Sequence, residues 1–182
     1  IDNYYIDKKN NKVLELPAHI DASYFEDGLA LASTTNSNKI GIINLEGKFI
    51  VEEKYDMIRL NSNSKLILVM LNKKWGFIDK NGNQKTEIKY KDVNYLLDDL
   101  AWVKIDDNLF GFVNENGEEV FTMECNQLEG RFYDGLSKFR KDSKYGFVDK
   151  KGNIVIDAKY DLADSFNNGI ARVGKVKNSK LE

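Results

Sequence analysis

Glycine recurs in this chain every 35 residues. Gly41, Gly76, Gly111 and Gly146 are evenly spaced, and Gly47, Gly82, Gly117 and Gly152 keep the same step. A third column, Tyr55, Tyr90, Cys125 and Tyr160, runs in register with both. Three columns in register over four units make the chain a tandem repeat array, so each unit's chemistry has to be judged against its siblings.

One unit reads as follows. Lys74-Trp75-Gly76-Phe77-Ile78-Asp79 is a short run of strand-forming residues, followed by Lys80-Asn81-Gly82-Asn83. Asn-Gly between two strand-like runs predicts a type I′ hairpin, whose two central residues need positive φ. A second strand follows the turn, as in Phe49-Ile50-Val51, Glu119-Val120-Phe121 and Ile154-Val155-Ile156. Lys54-Tyr55-Asp56, Lys89-Tyr90-Lys91 and Lys159-Tyr160-Asp161 read as a bend into a connection that holds at most a helical turn. A third strand closes the unit at 28–32, 100–103, 135–139 and 169–173, with Phe25, Phe132 and Phe166 three residues before its glycine as core anchors. The loop from this strand to the next hairpin varies in length and belongs on the surface. The first unit is degenerate: Tyr4 stands where glycine is expected and Pro17 precedes the bend, as suits an end unit with one neighbour.

Composition narrows the function classes. Hydrophobic residues at 42% and charged residues at 31% suit a folded chain with a continuous core. A net charge of −2 gives no whole-surface attraction for nucleic acid. No run of about 18 apolar residues exists, so no membrane insertion is expected. The lone Cys125 excludes an internal disulfide and a CxxC site. Leu181-Glu182 reads as a cloning scar or as native sequence.

The run Lys74-Trp75-Gly76-Phe77-Ile78-Asp79 with Gly82, extended by Lys89-Tyr90 and Leu100-Ala101-Trp102-Val103, resembles the bacterial WG-repeat family, also called KWG repeats. Residues 144–173 match nearly as well, with Tyr145 in the tryptophan position; Ile40 and Phe110 fill it elsewhere. The resemblance covers 3–176 and implies an interaction scaffold, often of the cell envelope or secreted. It carries no catalytic residue.

Candidate chemistry is sparse. His19 shares its column with Lys54, Lys89, Glu124 and Lys159, a solvent-type slot unsuited to an oriented base. Cys125 replaces a tyrosine and reads as a small core filler beside Glu124, the wrong neighbour for a reactive thiol. Asp7, Asp79 and Asp149 alternate with Asn44 and Asn114, which favours turn chemistry over a metal row. Lys8-Lys9, Lys73-Lys74 and Lys150-Lys151 interleave with Asp98-Asp99 and Glu118-Glu119 and read as solvated hairpin tips, not a phosphate track. Strand alternation puts Ala32, Val103, Phe139 and Val173 on a core face. It puts Leu31, Trp102, Lys138 and Arg172 on the other, mixed face, expected to look onto solvent or a groove. Trp102, Lys138 and Arg172 are therefore the expected partner contacts, set against burial of Trp102 on a neighbouring unit. The Gly76 column is expected to mark close approach of backbone or of an aromatic ring, such as the tyrosine column.

The sequence thus predicts an all-β array of about three short antiparallel strands per unit. It forms a single domain over 1–180, with units at 3–38, 39–73, 74–108, 109–143 and 144–178. An open curved array is favoured over a closed five-bladed ring. The expected function is a non-enzymatic scaffold for protein–protein interaction, without cofactor or metal. The alternative is a glycan or cell-wall binding module using Trp102 and surface tyrosines. Further repeats of the same chain are a third expected partner.

Overall fold

A computed structural model of the chain describes residues 4–97 and 99–176. Asp98, the stretch Asn178-Ser179-Lys180 and the Leu181-Glu182 end lie outside the described residues. Among those described there is no helix, and the strands form six antiparallel sheets, none closed into a barrel.

Two compact units divide the chain at Lys89/Tyr90. The first begins with a hairpin of β1 (Tyr4–Ile6) and β2 (Lys12–Glu15). A four-stranded sheet follows, in the order β3 (Ile20–Ala22), β4 (Leu29–Thr34), β5 (Ile40–Asn44) and β6 (Phe49–Tyr55). The third sheet has β7 (Met57–Arg59), β8 (Leu66–Leu71) and β9 (Lys74–Asp79).

The second unit opens with a sheet of β10 (Asp92–Val93), β11 (Leu100–Asp106), β12 (Leu109–Asn114) and β13 (Glu119–Glu124). A sheet of β14 (Gln127–Leu128), β15 (Leu136–Lys141), β16 (Lys144–Asp149) and β17 (Ile154–Tyr160) follows. The last sheet has two strands, β18 (Leu162–Ala163) and β19 (Val173–Gly174).

The strand frame differs from the sequence reading in one respect. The bend after each tyrosine column contains a short strand (β7, β10, β14 or β18) that adds to the third strand of the unit. A full sheet therefore has four strands, and it joins the end of one sequence repeat to the hairpin of the next.

The turns also differ. Gly47, Gly82, Gly117 and Gly152 have φ between +74° and +88°, but Asn81 and Asn116 before two of them are not left-handed. Each glycine N–H donates to the carbonyl three residues back, as Gly82 does to Asp79 at 3.0 Å. These are three-residue loops, a type I turn ending in a left-handed glycine, not type I′. The Asp/Asn column explains the choice. Oδ1 of Asp79 accepts the N–H groups of Asn81 and Asn83, both at 2.9 Å, and Asp149 does the same for Lys151 and Asn153. That bracing pins the turn, as the sequence reading of this column expects. The two-residue turns with both residues left-handed sit elsewhere, at Asn72-Lys73 and Asp142-Ser143 between the third strand and the next hairpin, and at Asp27-Gly28, Asp134-Gly135 and Asn168-Gly169.

The core lies between sheets. One side of the second sheet, with Ala30, Ala32 and Ile43, packs on Tyr5, Leu14 and Leu16 of the first hairpin and its flank. The other side, with Leu31, Ile42 and Val51, packs on Ile58, Val69 and Ile78 of the third sheet. In the second unit Trp102, Phe110, Phe112 and Cys125 pack on Leu128, Phe139 and Val148. Each fully buried aliphatic or aromatic side chain here contributes about 1.5–3 kcal/mol. The mixed face read from the sequence is thus a second packing face wherever another sheet covers it. Alternation alone shows two faces and cannot show that both are covered.

Candidate binding site

Equivalent positions in successive sheets show where the array changes character. Leu31, Leu68, Trp102 and Lys138 pair respectively with Ile42, Phe77, Phe112 and Phe147, the residues just after the first glycine column. Leu68 is fully buried, and Leu31 and Trp102 are half-buried in inter-sheet cores. Lys138 breaks the series with a charge. Ile58, Leu128 and Ala163 form a facing column whose partners are Val69, Phe139 and Val173. Between the fifth and sixth sheets, then, Lys138 stands where the preceding interface has Trp102. Ala163 replaces Leu128 and Val173 replaces Phe139.

Smaller and charged residues leave space there. A pocket of about 280 Å³ is lined by Tyr145, Leu162, Ala163, Asp164, Arg172, Val173 and Gly174. A second of about 140 Å³ shares Tyr145 and adds Glu129, Lys138 and Arg140. Phe147, the cross-strand partner of Lys138, makes an edge contact with Phe166, with ring centroids 4.9 Å apart.

The charges around Tyr145 are unevenly satisfied. Lys138 Nζ donates to the Ala163 carbonyl at 3.2 Å and lies 4.0 Å from Glu129. Glu129 also accepts from Ser165 Oγ at 2.9 Å. Arg172 is highly exposed, and its Nε donates to Asp164 at 2.8 Å. Arg140, paired with Tyr145 across the sheet, places its guanidinium 5.5 Å from the Tyr145 ring centre. Its Nε is shielded from solvent and donates to nothing. Lys144 is spoken for by an ion pair with Asp161 that repeats the Lys39–Asp56 pair of the first unit. That lysine holds the Asp161 carboxyl below its ordinary range. A contact present in two units is a structural part.

Of the expected contacts, Lys138 and Arg172 border these two pockets, which adjoin at Tyr145. Trp102 lies one interface away. Its ring sits 5.8 Å from that of Phe110, and its Cβ is 3.6 Å from where a side chain on Gly130 would begin. The Trp102 Nε1 is buried and without a partner, as is the Oδ1 of Asn94. His19 is exposed. Cys125 is buried, and burial pushes its thiol up to about 11. The sequence reading missed Arg140 and the role of Tyr145. The signal was present in the Arg140 column, which reads Ser33, Met70, Lys104 and Arg140.

The sequence profile of the WG containing repeat matches residues 40–75, 75–108, 110–145 and 145–175. The chain belongs to the WG-repeat family. No curated protein sequence matches it. Among solved structures it is similar to Kluyveromyces lactis Hsv2p, at 15% identity and a TM-score of 0.40 over 74% of this chain and 49% of that one. It is also similar to virginiamycin B lyase from Staphylococcus aureus, at 16% identity and a TM-score of 0.40 over 74% and 53%. The computationally designed Ika8 protein is matched at 10% identity and a TM-score of 0.40 over 91% and 59%. The chain spans roughly half the length of these structures.

Proposed function

We propose that this WG-repeat chain is a non-enzymatic scaffold that binds another protein through the face formed by β18 and β19. The observation that carries this reading is the exposure of apolar side chains on and next to that sheet. Leu162 of β18 is 69% exposed, Val173 of β19 39%, and Ile170, three residues before β19, 76%. Exposed apolar clusters rimmed by charge are typical of docking surfaces. The absence of an enzyme role is supported by the placement of the two residues best suited to nucleophilic chemistry. His19 is exposed in a degenerate unit, and Cys125 is buried as a neutral thiol.

The test is affinity capture followed by titration of the purified captured protein against the wild-type chain and a Leu162→Ser/Ile170→Ser variant. Saturable binding that the variant weakens at least tenfold is expected. Equal binding by the variant would remove β18 and β19 from the contact.

A second reading, glycan binding, is favoured by a different observation. Tyr4 and Tyr24, 56% and 78% exposed, line one groove of about 400 Å³ in the first unit. Exposed tyrosine rings offer flat stacking surfaces with a polar tip. Titration with cell-wall oligosaccharides, lost in Tyr24→Ala, would establish it.

A further inference from the structure

We infer that the pockets around Tyr145 are a carboxylate-binding site, and that the group they take is a Glu or Asp side chain of an acidic peptide segment. The inference rests on the protein-binding reading above and names the chemistry of its contact. Three observations meet here.

The first is the break in the repeat. The equivalent interface one repeat earlier holds Trp102, Leu128 and Phe139 and forms a continuous apolar core. Lys138, Ala163 and Val173 give up the packing that those three positions supply. What takes its place is open space with a cation at its wall.

The second is the unpaired Arg140. Its Nε–H is out of contact with solvent and has no acceptor. A shielded donor on a charged group is costly to leave unmade. The two terminal nitrogens of the same guanidinium form a fork that a carboxylate accepts with both oxygens. The Tyr145 ring beside the guanidinium holds its plane in place from one side.

The third is the charge count at the wall. Lys138, Arg140 and Arg172 face Glu129 and Asp164. Asp164 is occupied by Arg172, and Glu129 lies 4.0 Å from Lys138 and already accepts from Ser165. One positive charge is left over, on the residue with the unused donor. Leu162, Ala163 and Val173 give the pocket an apolar side suited to the methylenes of a Glu side chain.

The probe is the blocked tripeptide Ac-Glu-Glu-Glu-NH2, titrated into the whole chain labelled with nitrogen-15. Ac-Gln-Gln-Gln-NH2 is the neutral control. Saturable shifts are expected at the amides of Arg140, Tyr145, Ala163 and Gly174. Arg140→Gln should weaken binding about tenfold or more, as loss of a charge-assisted bond does. Arg140→Lys should recover only part of it, because an ammonium lacks the fork. Lys8→Gln, the same charge change in the other unit, should leave affinity unchanged. A dispersed spectrum of Arg140→Gln shows that the variant is folded. Three results would each overturn the site: no saturation, equal binding of the Gln peptide, or equal binding by Arg140→Gln. If a captured partner is lost on Leu162→Ser/Ile170→Ser but not on Arg140→Gln, the scaffold reading stands and the carboxylate site falls. Binding of oligogalacturonate in place of the peptide, sensitive to Arg140→Gln, would keep a carboxylate site but overturn its assignment to peptide.

Discussion

A Cβ placed on Gly111 would stand 2.5 Å from the carbonyl oxygen of Phe121 on the neighbouring strand. Gly41 and Gly146 meet the carbonyls of Val51 and Ile156 at the same distance, and Gly76 meets that of Glu87 at 3.0 Å. The register slips beside this column, as between Ile40 and Ile42 or Tyr145 and Phe147, and the partner strand bulges inward there. The column thus marks close backbone approach, as the sequence implied. The closest atoms come from the neighbouring strand's backbone, with rings such as Phe49 and Phe139 close by at Gly41 and Gly146. The tyrosine column is not what approaches.

Gly111→Ala should therefore destabilise by about 3 kcal/mol, the upper end of overpacking costs. Gly135, with φ +80° and open space around it, provides the contrast. Gly135→Ala should cost only about 1 kcal/mol, the left-handed penalty alone. Urea unfolding of both variants checks the ranking, and the reverse order would refute the carbonyl-contact explanation.

At the Asn72-Lys73 turn the strain runs the other way. Lys73 has φ +62° and forms a type I′ turn with Asn72. Lys73→Gly should remove the left-handed penalty and return part of the gain as unfolded-state entropy. A net stabilisation of about 0.5 kcal/mol is expected, seen as a higher thermal midpoint. A lower midpoint would show that the lysine side chain contributes a contact that outweighs its backbone.

Acid should loosen the hairpin tips through Asp149. Its carboxyl is held below the ordinary range by the side-chain amide of Asn153, then by the Asn153 and Lys151 N–H groups. A folded-state pKa below the unfolded one stabilises above the unfolded value and is lost as pH falls through the folded one. Asn44 and Asn114 perform the same bracing without a titrating group. Asp149→Asn should keep the turn and flatten the fall in thermal midpoint between about pH 5 and pH 2. An unchanged slope would mean that other carboxylates dominate acid unfolding.

Cys125 should resist thiol reagents in the folded chain. Its thiol is buried, and the neutral form is favoured until about pH 11. Reaction with a disulfide reagent at pH 8 should occur at the rate of opening, not at the rate of a free thiol, and accelerate sharply in urea. Rapid labelling of native protein would show that the interface around Phe110 and Phe139 opens readily.

The spacing of Gly41, Gly76, Gly111 and Gly146 determined by itself that the chain is a tandem repeat array, and the run Lys74-Trp75-Gly76-Phe77-Ile78-Asp79 with Gly82 carried the resemblance to the WG-repeat family. A period of 35 with strand-like runs and turn glycines leaves few other ways to satisfy the backbone. The Asp/Asn column likewise disclosed its turn role, because the interchange of a charged and a neutral acceptor requires only an oxygen. The short strands β7, β10, β14 and β18 were not legible, since two or three residues carry no periodicity of their own. They form because a third strand is already there to pair with. The candidate site was legible in part. Lys138 and Arg172 were singled out by alternation, but Trp102 was grouped with them although its indole packs within another interface. Alternation tells which side of a strand a residue occupies, whereas the next sheet decides whether that side is core, pocket or solvent. Arg140 became visible only in three dimensions, because an unpaired donor is a property of its surroundings and not of its own residue type.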